Sequence, residues 1–135
     1  LFLADRSQHV QEVILPALAQ KKIILCDRFN DSTVAYQGGA RGFDPDWVRT
    51  LCHFATQNLE PTITLYLDID PHEGLQRVKR SKDRIEQEDI TFHQKIRTAY
   101  LSIAKKEPKR FHVLDGSKQP QDVFEDALRL LRPYW

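Results

Sequence analysis

The chain has 135 residues, 41% hydrophobic and 29% charged, an ordinary composition for one water-soluble domain. Twenty lysines and arginines against nineteen aspartates and glutamates leave no strong net field, so neither nucleic acid nor a membrane surface is an expected partner. No apolar run approaches the roughly 18 residues of a membrane-spanning helix, and the opening LFLADRSQHV lacks the basic start and apolar centre of a signal peptide. The cytoplasm is therefore the expected compartment, with Cys26 and Cys52 as reduced thiols. The chain starts at Leu1 and contains no methionine, which suggests part of a longer protein.

In chain order, Val10, Val13, Ile14 and Leu18 repeat at helical spacing, so a helix is expected to end near Ala19, with Pro16 kinking its last turn. Ile23, Ile24, Leu25 and Cys26 lack polar alternation, the pattern of a central parallel strand covered on both faces, and Asp27 stands at its carboxyl end. Asp44-Pro45 supplies an N-cap and a first-turn proline for a helix carrying Trp47, Val48, Leu51, Phe54 and Ala55. A second strand is expected over Ile63 to Leu67. The sequence Asp70-Pro71-His72-Glu73 then opens a helix toward Arg80. A helix through Phe92, Ile96, Ala99, Tyr100 and Ile103 follows, then a strand from Phe111 to Leu114. Pro120 opens a last helix that buries Val123, Phe124, Ala127, Leu128 and Leu131. Alternating helices and strands predict a three-layer α/β domain with parallel strands. The hydrophilic segment 79–89 reads as a flap, and there are no internal repeats.

The chemistry concentrates in IILCDRFNDSTVAYQGGARG, Ile23 to Gly42. Ligands of open α/β sheets sit at strand carboxyl ends. An aspartate there can hold magnesium, and the arginine beside it can fork onto phosphate. The dipeptide alone also fits a surface ion pair. The aromatic, amide and hydroxyl side chains and glycines that follow provide a polar lining suited to base, sugar and phosphate. The five histidines, at 9, 53, 72, 93 and 112, show no metal-ligand spacing, and no Ser-His-Asp arrangement can be argued.

The segments LFLADRSQH, DRFNDSTVAYQGGARG, TLYLDIDP, DRIEQE and VLDGS occur in the order and with spacing similar to those of thymidylate kinases, and the chain resembles that family over nearly its whole length. The resemblance implies a three-layer P-loop NTPase-like fold with a parallel central sheet. It also implies phosphorylation of dTMP to dTDP with ATP and Mg2+, by a cytoplasmic homodimer. No GxxxxGK[ST] sequence occurs in the chain, so it is read as the C-terminal portion of a single kinase domain. The portion carrying the P-loop, with its first strand and helix, is then missing, and these residues alone are expected to be inactive.

By the same resemblance, Phe2 stacks on thymine and Arg6 addresses its carbonyl edge, and a separation of four puts both on one helix face. Arg28 grips the dTMP phosphate, and Asp27 holds magnesium directly or through a water. Thr33 and Gln37 bind the base, and Tyr36 lies beside the sugar. Arg80 and Arg84, within the basic cluster Lys79, Arg80, Lys82 and Arg84, reach the ATP phosphates from the lid. Asp83 and Glu86 either contact nucleotide or form helix salt bridges. Asp115, Gly116 and Ser117 form the loop against adenine, though a plain strand-to-helix turn explains them as well. Phe2 as core, Arg6 as a surface charge and Tyr36 as a structural tyrosine are the competing readings of those residues. Two other functions remain open: another nucleoside or nucleotide P-loop kinase, and a nonenzymatic nucleotide-binding or dimerisation module.

Overall fold

The computed structural model describes residues 1–78 and 85–134, arranged as two compact units, Leu1–Glu60 and Pro61–Trp135.

The first unit is helical. Helix α1 (Phe2–His9) continues through a π-helical stretch, Val10–Ile14, into α2 (Leu15–Ala19). Proline 16 explains the widened turn: it cannot donate to the carbonyl four residues back, and its ring would collide there. The preceding Leu15 amide instead reaches five residues back to Val10, so the proline is absorbed by a π-turn and the chain remains helical. Of the apolar stripe, Val10 and Ile14 are buried, whereas Val13 and Leu18 are exposed. A short helix α3 (Asn30–Thr33) leads into a second π-helical stretch, Val34–Ala40, closed by the Arg41 amide bonding Tyr36 O at 3.1 Å. Helix α4 (Pro45–Ala55) starts as its sequence dictates, with the Asp44 carboxylate accepting from the Asp46 and Trp47 amides. It packs against α1 and α3 through a buried face that includes Val48 and Cys52, while Trp47 and Phe54 are exposed.

The segment Ile23–Cys26, expected as a central strand, forms no strand. A strand exists only as half of a hydrogen-bonded ladder, and no described segment pairs with this one. Ile23 and Leu25 are accordingly 76% and 96% exposed. Asp27 therefore follows a bare apolar segment, outside any sheet.

In the second unit, β1 (Thr64–Asp68) and β2 (Phe111–Asp115) pair in parallel, with Thr64 opposite Phe111 and Asp68 opposite Asp115. Helix α5 (Pro71–Arg77) is capped by Asp70, whose carboxylate accepts from the His72 amide at 2.9 Å. It ends at Arg77, short of Arg80. Helix α6 (Ile90–Lys106), capped by Asp89, and α7 (Pro120–Leu131) both pack on β2. Ile96, Ile103, Phe111 and Leu114 are buried, and Tyr66 of β1 stacks on Tyr100 of α6 at 4.6 Å between ring centres. The α7 stripe is only half-buried, with Phe124 exposed. Parallel strands joined through helices are the α/β pattern that the alternation of elements predicts.

Candidate functional site

Arg28 has φ +65°, a left-handed conformation without a glycine. Such backbone costs about 1–3 kcal/mol and persists only where its surroundings enforce it. The turn throws the guanidinium over the Tyr36 ring, 5.4 Å from its centre, and the Cys26 thiol donates to the Arg28 carbonyl at 3.5 Å. Asp27 and Arg28 are both exposed. Among the described residues, no hydrogen bond or ion pair occupies the Asp27 carboxylate, and no carboxylate pairs with Arg28. An ion pair between them, the bland reading of Asp-Arg, is therefore absent.

Arg6 and Thr33 are brought together: Arg6 Nη1 donates to Thr33 Oγ1 at 2.8 Å, and its guanidinium lies over the Phe29 ring, 5.4 Å from the centre. Arg6 is neither a solvated surface charge nor saturated, since a guanidinium carries five N–H donors. Phe2 stands one turn earlier on α1 and is 67% exposed, which removes the core reading for it. Tyr36 and Gln37 are half-buried within the π-helical stretch, and the Gln37 carbonyl accepts from the Phe43 amide at 3.1 Å. Gly38 allows a close approach to α4: a Cβ there would lie 3.0 Å from Pro45 Cα. Beneath the site, Asn30 Nδ2 donates to the buried Thr56 hydroxyl, which donates to Cys52 O. Burial pushes the Cys52 thiol up from its ordinary range, with Arg6 and a Thr33 hydrogen bond opposing.

In the second unit, Asp115, Gly116 and Ser117 form one tight turn after β2. The Asp115 carboxylate accepts from the Ser117 amide at 2.9 Å and its hydroxyl at 2.6 Å, bonds that hold it below the usual carboxylate range. The Gly116 amide donates to Asp68 O at 2.7 Å, and a Cβ on Gly116 would lie 3.0 Å from that oxygen, close enough that the backbone would have to give. Asp68 closes β1 as Asp27 follows the first apolar segment, but its carboxylate is taken. Arg97 forks onto it at 2.7 and 2.8 Å and lies 3.7 Å from Asp70. The Asp68 bond raises Arg97's pKa above the usual arginine value, while burial, then Asp68, raise that of the Tyr66 hydroxyl.

Arg80, Asp83 and Arg84, with Lys79 and Lys82, lie outside the described residues; Glu86 is half-buried. Sequence reasoning missed several arginine contacts, among them the bonds from Arg77 to Gly116 O and Ser117 O, 39 and 40 residues away. Phe29 beneath Arg6 was visible only as an aromatic in the right motif. The Arg97–Asp68 fork, spanning 29 residues, had no local signal.

The second unit carries the parallel strands of an α/β protein, with a tight turn after β2. The first, by itself, presents Arg28 beside the Tyr36 ring with no carboxylate paired with it among the described residues, a setting that suits a ligand both anionic and planar. Residues 1–127 match the thymidylate kinase family. The chain belongs to that family. It is 42% identical over 144 aligned positions to the thymidylate kinase of Protochlamydia amoebophila, covering all of this chain and 64% of that protein. The thymidylate kinase of Desulfovibrio desulfuricans is 46% identical, covering 99% of this chain and 66% of that protein. That of Bacillus pumilus is 44% identical, with 98% and 64% covered. The chain thus spans about two thirds of the length of these curated relatives. The fold class of the family is the P-loop NTPase type of α/β protein, as the resemblance implied.

Proposed function

We propose that the protein to which these residues belong is a nucleoside monophosphate kinase that transfers the γ-phosphoryl group of ATP to dTMP. One observation carries the reading: the family match over residues 1–127 includes the turn in which Arg28 is held left-handed, with no carboxylate paired with it among the described residues. Strained backbone at an uncommitted arginine is the expected form of a phosphate-binding residue.

On this reading Arg28 grips the acceptor phosphate. Phe2 stacks on thymine, Arg6 and Thr33 act together on its edge, Gln37 adds a polar contact, and Tyr36 lies beside the sugar. Arg80 and Arg84 compensate charge on the ATP phosphates, with Asp83 at the nucleotide, and the Asp115–Ser117 turn lies against adenine. Transfer is in line and direct, with catalysis from positioning and charge compensation and no covalent enzyme intermediate. No group of three or more His, Cys, Asp or Glu among the described residues could hold a metal ion. Magnesium asks for less, one or two carboxylates with waters and phosphate oxygens, and the exposed Asp27, which engages no partner among the described residues, fits that role directly or through a water. Bound there, Mg2+ would neutralise charge on the phosphate oxygens.

The phosphate cradle has no counterpart in these 135 residues, so the reading assigns it to sequence outside them and makes the isolated chain inactive. Family membership also supports a cytoplasmic homodimer as the working form and a single kinase domain, with a lid over 79–89. No described helix is long and apolar enough to cross a membrane. A phosphorylation panel with the full-length protein tests the assignment. dTMP should be preferred over dCMP, dGMP and thymidine; equal rates on all four would discard it in favour of another kinase.

A further inference from the structure

We propose that Asn30 is a positioning residue for the acceptor phosphate, a role that rests on the reading of Arg28 given above. Arg28 is left-handed at φ +65°, and such backbone relaxes unless its surroundings hold it. Before it, the exposed Cys26 thiol donates to the Arg28 carbonyl at 3.5 Å, a weak bond open to water. Two residues after it, Asn30 is 8% exposed, and its Nδ2 donates to Thr56 Oγ1 at 3.1 Å. Thr56 is fully buried where α4 ends, and its hydroxyl donates to Cys52 O at 2.9 Å. The strained turn is thereby tied to the interior through the end of α4.

The chemistry of the pair fixes its direction. With its one proton aimed at Cys52 O, the Thr56 hydroxyl can only accept from Asn30, so the amide presents Nδ2 to it and turns Oδ1 away. Oδ1 is buried and has no hydrogen-bond partner among the described residues. A buried acceptor left unpaired weakens a fold, and an apolar side chain of similar volume would avoid that loss. Stability alone therefore does not account for an amide at position 30. What the amide supplies is direction: one bond of fixed geometry two residues from Arg28, where an apolar contact would let the turn slide. Asn30 does not touch the phosphate. It sets where the Arg28 guanidinium stands, over the Tyr36 ring and able to meet an anion.

The test uses the full-length protein and compares binding of dTMP with that of thymidine, which lacks the phosphate. Asn30→Leu should shrink the preference for dTMP about fivefold, the scale of one hydrogen bond, while thymidine affinity and the KM for ATP stay within about twofold. Thr56→Val, which removes the acceptor, should do the same, and Thr56→Ser, which keeps it, should not. The Thr56 variants keep the question answerable if the leucine variant does not fold. In an Arg28→Ala background, Asn30→Leu should change dTMP binding by less than about twofold, because the two residues act through one contact. A dTMP preference unchanged in folded Asn30→Leu or Thr56→Val overturns the proposal. So does an equal loss with and without Arg28, or a parallel loss of thymidine binding, either of which makes Asn30 a purely structural residue. A wild-type protein that binds dTMP and thymidine alike overturns the reading of Arg28 itself, and the role of Asn30 falls with it.

Discussion

Two apolar segments of this chain lead to an aspartate, Ile23–Cys26 before Asp27 and Leu65–Leu67 before Asp68, and their fates differ. The second is zipped in register to Phe111–Asp115, and its aspartate is locked by the Arg97 fork. The first is unpaired and exposed, and Asp27 engages no hydrogen bond among the described residues. Its arginine, Arg28, faces a tyrosine ring. Similar sequence thus yields a structural carboxylate in one place and an uncommitted charge pair in the other. What separates them is the availability of a partner, and only the uncommitted pair can serve a ligand without first breaking the fold.

The apolar residues should separate the two segments most strongly. In the 135-residue chain, Leu114→Ala should cost about 2–5 kcal/mol in urea denaturation, the usual loss for a buried leucine, since Leu114 is 7% exposed. Leu25→Ala should cost less than about 0.5 kcal/mol; comparable losses would place Leu25 in a core. Next come the arginines. Arg97→Ala leaves the part-buried Asp68 carboxylate without its fork and should cost about 1–2 kcal/mol. Arg28→Gly should instead stabilise by up to about 1 kcal/mol, because glycine takes positive φ without strain. A destabilised glycine variant would mean that side-chain contacts, not ligand binding, account for the left-handed turn.

The smallest expected effect is on acid sensitivity. The Asp115 carboxyl sits below its ordinary value of 3.8 in the folded chain, chiefly through the Ser117 hydroxyl. Its stabilisation is therefore complete above that ordinary value and is lost as pH falls through the lowered one. Ser117→Ala should reduce the fall in Tm between neutral pH and pH values below 3.8. An unaltered profile would show that the hydroxyl does not set it.

Local features were the legible ones. Asp44 and Asp70 cap helices because the carboxylate and the amides it satisfies lie within three residues of each other, and the proline after each fixes the first turn. The strands at Thr64 and Phe111 were readable from β-rich composition between breakers. The Ile23 strand was misjudged because composition describes what a segment tolerates, while a ladder depends on a second segment elsewhere. The same limit hid Arg97 and Arg77, whose partners lie 29 and 39 or more residues away. At the site, Arg6 and Thr33 were each named from motif resemblance, but their mutual hydrogen bond and the Phe29 ring beneath Arg6 emerge only once α1 and α3 are placed.

On the proposed function, Arg28 is held in a strained turn to grip the phosphate of the acceptor. Binding of dTMP and of thymidine, which lacks that phosphate, to the full-length protein and its Arg28→Ala variant tests it most directly. The wild type should prefer dTMP by at least about tenfold, and the variant should bind the two nearly alike. A preference for dTMP that survives the substitution would contradict the account.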